Sequence, residues 1–296
     1  MVIIGNFTGT TSYSIKNSQI PADELIQWEP NGVRAYMGAW IDAHKYSRIS
    51  SDGQGGVFLV WKHNWENKIM GQHINSDGEN QWDADTSIIA ADYGERSVPT
   101  ICSDGQNGAI IVWHDERNGY YENYAQRVNA IGEKQWVENG IPISPNSNRQ
   151  YSPNICSDGQ GGAIIIWFDE RSNGDRITIY SQIININGEL LWTREGIPIS
   201  GIVDPWNADL QVFSDGQGGA IVVWQNRVSF SSYSIHEIYA QKINMNGEIQ
   251  WANRAFIYAN KVLLYSILKF ALIMRVEFLL HGQIQNLIIL IGSYKE

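Results

Sequence analysis

Four tryptophans, Trp61, Trp113, Trp167 and Trp224, recur at spacings of 52, 54 and 57 residues. Each stands nine residues after an aspartate: Asp52, Asp104, Asp158 and Asp215. The third copy reads "SDGQGGAIIIWFDER", and a second motif falls between the copies, as in "AQRVNAIGEKQW". In that second motif Gln72, Gln126, Gln182 and Gln241 precede Trp82, Trp136, Trp192 and Trp251 by ten residues. Trp28, in "ELIQW", lies 54 residues before Trp82 and reads as a further copy. A fixed period of this kind describes stacked units, none of which can bury its apolar face alone.

Each unit resolves into strands. "YSPNICSD" is a first strand, and "GQGG" is a tight turn, because glycine reaches the positive φ such turns need. "AIIIW" is a continuous β-branched run, which implies a strand covered on both faces. "IYSQIIN" alternates as a third strand, "NG" signals the next hairpin, and "LLWTREGIPIS" is expected to be the fourth. The expectation is an all-β fold, a β-propeller of four-stranded antiparallel blades with about 52–57 residues per repeat. Residues 1–46 are expected to hold a partial N-terminal blade around Trp28, and residues 47–251 four repeats. The repeated glutamines read as buried amides that must satisfy their hydrogen bonds in every blade.

Residues 252–296 break the pattern with the run "AFIYANKVLLYSILKFALIMRVEFLLHGQIQNLIILIGSYKE". Lys269, Arg275 and Glu277 interrupt it, so it is not read as a membrane span. In a shifted reading frame the same codons allow a Ser-Asp…Gly-Gly…Trp copy with the nine-residue Asp-to-Trp separation. The tail is therefore expected to be a frameshifted fifth repeat, and the propeller to be incomplete or truncated. The opening "MVIIGNFTGTTSYS" lacks a basic stretch and a sustained apolar core, so no signal peptide is expected within it.

Twelve Trp, fourteen Tyr and 28 Gly suit β structure, and 43% hydrophobic residues exclude a disordered composition. A net charge of −10 without a dense Lys/Arg run argues against nucleic acid as a partner. Cys102 and Cys156 occupy one repeat position, held elsewhere by Ser50 and Phe213, which points to packing rather than thiol chemistry. The six histidines show no ligand-like spacing, so neither a metal nor a cofactor is expected. One Asp per "SDGQGG" turn falls short of a calcium loop and is better explained by bonds to its own turn.

In such a blade the "SDGQGG" and "NG" turns share one end, and the variable 2–3 and 4–1 loops share the other. Binding residues tend to sit on variable loops over a rigid scaffold, so the ligand face is expected there. Asp115 with Arg117, and Asp169 with Arg171, open two 2–3 loops as W-x-D-x-R. They could form a polar ring for an anionic or sugar ligand, or simply pin each loop. Trp65, Tyr120, Tyr121 and Trp206 are the candidate stacking aromatics. No H-E-x-x-H or G-x-S-x-G signature and no nucleophile–base arrangement is present.

The pattern P-x-I-C-S-D-G-x-G-G-A-I-I-x-W-x-D-x-R…Y-A-Q-x-x-N-x-x-G-x-x-x-W…G-I-P-I-S resembles repeats of secreted bacterial β-propeller proteins. These often precede cell-surface or secretion sorting domains, and the resemblance covers roughly residues 45–251. It implies an extracellular or cell-surface location and no particular activity. "NINGELLW" also resembles the Asp-box of sialidase propellers, Ser-x-Asp-x-Gly-x-x-Trp. Its Gly–Trp spacing is one residue longer and Asn often replaces Asp, which argues against a sialidase. The leading expectation is a non-catalytic binding or scaffold module with a glycan or protein ligand. The alternatives are a glycan-processing enzyme with an axial acid–base site, and a truncated product without function.

Overall fold

The computed structural model describes residues 33, 35, 44–63, 68–83, 88–90, 99–145, 149–171, 177–203, 210–229, 234–251 and 255–258. They form four four-stranded antiparallel sheets, the blades of a β-propeller. Blade 1 is β1 (His44–Ser51), β2 (Val57–His63), β3 (Lys68–Ile74) and β4 (Ile88–Ala90). Blade 2 is β5 (Thr100–Ser103), β6 (Ala109–Asp115), β7 (Glu122–Val128) and β8 (Ile141–Pro142). Blade 3 is β9 (Gln150–Ser157), β10 (Ala163–Asp169), β11 (Ile177–Ile184) and β12 (Ile197–Val203). Blade 4 is β13 (Leu210–Ser214), β14 (Ala220–Ser229), β15 (Ser234–Ile243) and β16 (Ala255–Tyr258). The first strands β1, β5, β9 and β13 touch one another in that order. No helix among the described residues is long and apolar enough to cross a membrane.

The cores lie between blades, which explains why each second strand opens with an unbroken apolar run ending in tryptophan. Side chains alternate between the two faces of a strand. Ile111 and Trp113 of β6 therefore pack with Phe58, Val60 and Trp82 of blade 1. Ile110 and Val112 of the same strand pack with Ile155, Ile165 and Trp167 of blade 3. All seven residues of β10 are buried for the same reason. Cys102 and Cys156 are free and buried, each inside one of these seams. Burial pushes both thiols well above their ordinary range.

The fourth strand differs from expectation, because the repeat tryptophan precedes its ladder instead of lying in it. In blade 2 the return strand bridges β7 at Val128–Lys134, then bows away until Ala125 meets Ile141. Gln126 fills that gap. Its Oε1 accepts the Arg127 and Trp136 N–H groups, both at 3.0 Å, and its Nε2 donates to the Val137 carbonyl at 2.8 Å. Gln72, Gln182 and Gln241 repeat this three-bond bridge in the other blades. A glutamine side chain thus stands in for ladder bonds the bowed strand cannot make. In blade 1 the fourth strand lies at Ile88–Ala90, inside "DADTSIIAADYGERS", a stretch whose place between repeats reads as a 4–1 loop. β16 shows that the first residues after the last repeat still pair as a fourth strand, Tyr239 opposite Phe256.

The bowed tryptophan is the tie between blades. Trp82 Nε1 donates to the Ala130 carbonyl at 2.8 Å, Trp136 Nε1 to Ile186 at 3.0 Å, and Trp192 Nε1 to Met245 at 3.0 Å. Each acceptor sits in the Asn-x-x-Gly hairpin of the following blade. The glycine there has positive φ, +87° at Gly132, and a Cβ on it would come within 3.0 Å of the Trp82 ring. Both the turn and the docking tryptophan require glycine at that position.

Candidate functional site

The two ends of the blades are built by different chemistry. At one end Asp104 Oδ1 accepts the Gln106 and Gly108 N–H groups at 2.7 and 2.8 Å. Asp52, Asp158 and Asp215 do the same in their own turns. A Cβ on Gly108 would collide with the Val128 carbonyl and the Asp104 carboxylate, so the turn sequence has little freedom. The second carboxylate oxygen takes a cation from β7 or β15, Arg127 at 2.8 Å on Asp104 and Lys242 at 3.2 Å on Asp215. These aspartates are consumed by the fold. No group of three or more His, Cys, Asp or Glu fit to hold a metal occurs among the described residues.

At the opposite end, W-x-D-x-R forms a closed clamp. Arg117 donates from Nε to Asp115 Oδ1 at 2.9 Å and from Nη2 to Oδ2 at 2.5 Å, while its backbone N–H reaches Oδ1 at 2.8 Å. Arg117 Nη1 reaches the Asn139 carbonyl at 2.9 Å, and its guanidinium lies 3.8 Å above the Tyr124 ring. Tyr124 in turn stacks on Trp113. Blade 3 repeats this arrangement with Arg171, Asp169, Tyr180 and Trp167, and Arg171 also reaches the Ser144 hydroxyl at 3.1 Å. Asp115 and Asp169 are fully buried. Bidentate charge-assisted bonds of this kind are strong and geometrically specific. What they fix is the root of each 2–3 loop.

Beyond the clamp, the blade 2 loop is held at its far side as well. Asn118 Nδ2 donates to Glu122 Oε2 at 2.6 Å, and Tyr124 donates its hydroxyl to the same oxygen at 2.9 Å. Burial, with the Glu122 contact behind it, pushes the Tyr124 phenol above its ordinary range. Between these anchors stand Tyr120 and Tyr121, both half-buried. The Tyr121 ring meets His114 edge-on at 4.8 Å, and the exposed Arg149 guanidinium of the next blade lies 5.3 Å from its centroid. Burial, then Lys62 and Arg149, push His114 down to about 4, so the ring is neutral near pH 7. The aromatic pair therefore lies at the seam of blades 2 and 3.

One residue at this seam breaks the repeat. Asn123 is opposite His114 in the ladder and fully buried, yet its Oδ1 and Nδ2 find no hydrogen-bond partner. Ile69, Ile179 and Ile238 hold the same position in the other blades. A buried unsatisfied polar group costs about 1–3 kcal/mol. Only the Asn123 backbone is engaged, its N–H with Gln150 Oε1 at 3.3 Å and its carbonyl with the Ile143 N–H at 2.9 Å. His114, Asn123, Arg149 and Gln150 did not emerge from motif reading. Aligning the four repeats column by column exposes Asn against three isoleucines. Trp65 and Trp206, the other candidate aromatics, and Trp28 lie outside the described residues, as does the tail beyond Tyr258.

No family model matches the chain, and no curated protein matches it. Among solved structures it is similar to an endo-arabinase from Bacteroides thetaiotaomicron. That match has TM-score 0.42 and 12% identity, over 71% of this chain and 80% of that one. An α-L-arabinofuranosidase from Fusarium graminearum matches at TM-score 0.43 and 9% identity, over 74% of this chain and 67% of that one. A puromycin hydrolase matches at TM-score 0.42 and 13% identity, with 76% of this chain spanning 35% of that one. These are likenesses of backbone shape alone.

Proposed function

We propose that the protein is a non-catalytic binding module whose ligand is a glycan, received at the loop end of the seam between blades 2 and 3. Asn123 carries this reading. It is a buried amide without partners, kept where every other blade has isoleucine, beneath the aromatic and cationic groups of the variable loops. Departures from local consistency collect at functional sites. Half-buried tyrosines offer flat apolar surface with a polar edge, which suits a sugar ring. Asp115 and Asp169 support binding over hydrolysis, since each is committed to an arginine and to its own loop. Export to the cell surface forms part of the same proposal and rests on the repeat resemblance.

The test is a glycan array followed by calorimetric titration with the best binder, on the parent protein and Tyr121→Ala. The reading expects measurable affinity and at least a tenfold loss in the variant at unchanged fold. Release of nitrophenol from model glycosides, abolished in Glu122→Gln, would instead make the protein an enzyme. Binding to protein partners alone, with the glycan array blank, would replace the ligand class.

A further inference from the structure

The position after the repeat glutamine in the third strand is a slot for a cation. Arg127 fills it in blade 2 and Lys242 in blade 4, each paired with the turn aspartate of its blade. Blade 3 has Ile183 there, and blade 1 has His73. His73 Nε2 lies 3.0 Å from Asp52 Oδ2, and Nδ1 lies 3.2 Å from the Ala130 carbonyl in the hairpin of blade 2. The ring is nearly buried and stacks on Phe58 at 4.4 Å. Both partners are acceptors. A neutral imidazole has one N–H and one lone pair, so either tautomer sets a lone pair against an oxygen. Only the doubly protonated ring donates in both directions.

We propose that His73 is a pH-sensitive latch that, as an imidazolium, ties the turn of blade 1 to the hairpin of blade 2. The neighbours leave it little else to respond to. The β1–β2 turn contributes Asp52 and β2 contributes Phe58. The blade 2 hairpin contributes the Ala130 carbonyl, which also accepts the Trp82 indole N–H. Of the charged groups near that hairpin, Glu133 is engaged by Asn129, and Arg127 is held by Asp104. The Asp52 carboxyl is held below its ordinary value: burial alone would raise it, and the bonds from His73, Gln54 and Gly56 outweigh that. The signs follow by linkage. Asp52 contributes stability present above its unfolded value and lost in acid as it protonates. At His73 only the doubly protonated ring donates to both Asp52 and Ala130, so taking a proton away removes one of the two bonds. The seam is tightest while Asp52 is ionised and His73 carries both protons.

The latch is tested by urea unfolding midpoints across the pH range where imidazoles titrate, on the parent protein and on His73→Arg, which copies the cation of blade 2. The parent folding constant should fall by up to about tenfold per pH unit across that range, relative to the variant. His114 acts with the opposite sign on the acid side but is common to both proteins, so it cancels in the difference. Equal pH slopes in the two proteins would overturn the proposal. Should His73→Arg fail to fold, nitrogen-15 imidazole spectra of the parent decide. Two protonated ring nitrogens for His73 at pH 8, where a free imidazole has lost one, support the latch, and a single-proton signature there refutes it.

Discussion

Replacing Asn123 by valine should stabilise the protein, although it removes a polar group from a β-strand and puts nothing polar in its place. Both amide atoms are buried without a partner, and each such group costs about 1–3 kcal/mol. Valine is smaller than the isoleucine of the other blades and suits a strand, so overpacking should return only about 1 kcal/mol of the gain. The net expectation is about 1–5 kcal/mol in favour of the fold, read as a higher urea midpoint at unchanged slope. The backbone bonds of residue 123 to Gln150 and Ile143 do not involve the side chain and should persist. Glycan affinity should fall in the same variant, since stability recovered at a strained site is commonly repaid in function. A loss of stability greater than about 1 kcal/mol would refute the reasoning, because it would mean the amide is satisfied after all.

Gln126 lies three residues further along the same strand, is equally buried, and should respond with the opposite sign. Gln126→Leu strands two N–H groups and the Val137 carbonyl, so a loss of about 3–9 kcal/mol is expected in the same urea assay, at about 1–3 kcal/mol per group. His114→Phe, which copies Phe168 of blade 3, should make the protein more acid-resistant. His114 is depressed from 6.5 to about 4, so between those pH values the unfolded chain binds a proton the folded one does not, and parent stability falls as pH drops. Melting temperatures of the two proteins from pH 7 down to about 4 should therefore diverge.

Much of the blade was legible because each feature recurs. The Asp turns, the apolar second strands and the bridging glutamines appear four times, and repetition separates requirement from accident. The bowed fourth strand was not legible. "LLWTREGIPIS" has the composition of a strand, yet Trp192 is drawn out of the ladder by a carbonyl of the next blade, Met245, which lies 53 positions away. Inter-blade contacts of that kind have no local signal. The candidate site was legible only in its aromatics. Tyr121 was accessible as a loop residue, whereas His114 and Asn123 sit inside the paired strands β6 and β7, whose other residues look purely structural. Their signal was a departure from the repeat: Asn where three blades have Ile, and His73 in a slot otherwise filled by Arg, Lys or Ile.

The division of labour between the two ends follows from where each draws its bonds. The Asp turns satisfy themselves with their own backbone, and the collision awaiting any Cβ on Gly108 leaves no room for variation. The 2–3 loops of blades 2 and 3 are held instead by buried groups at their roots, Asp115 with Arg117 and Asp169 with Arg171, stacked over Tyr124 and Tyr180. With the anchor placed below the loop, residues above it can change without loosening the fold. Blades 1 and 4 carry His63 and Asn226 where the clamp has its aspartate, so neither has the Asp–Arg pair of W-x-D-x-R. A fixed, variable surface is therefore available at blades 2 and 3. The only buried amide among the described residues with neither atom paired lies at the seam between those two blades. A binding surface transplanted to blade 1 would first need aspartate at position 63 and arginine at position 65.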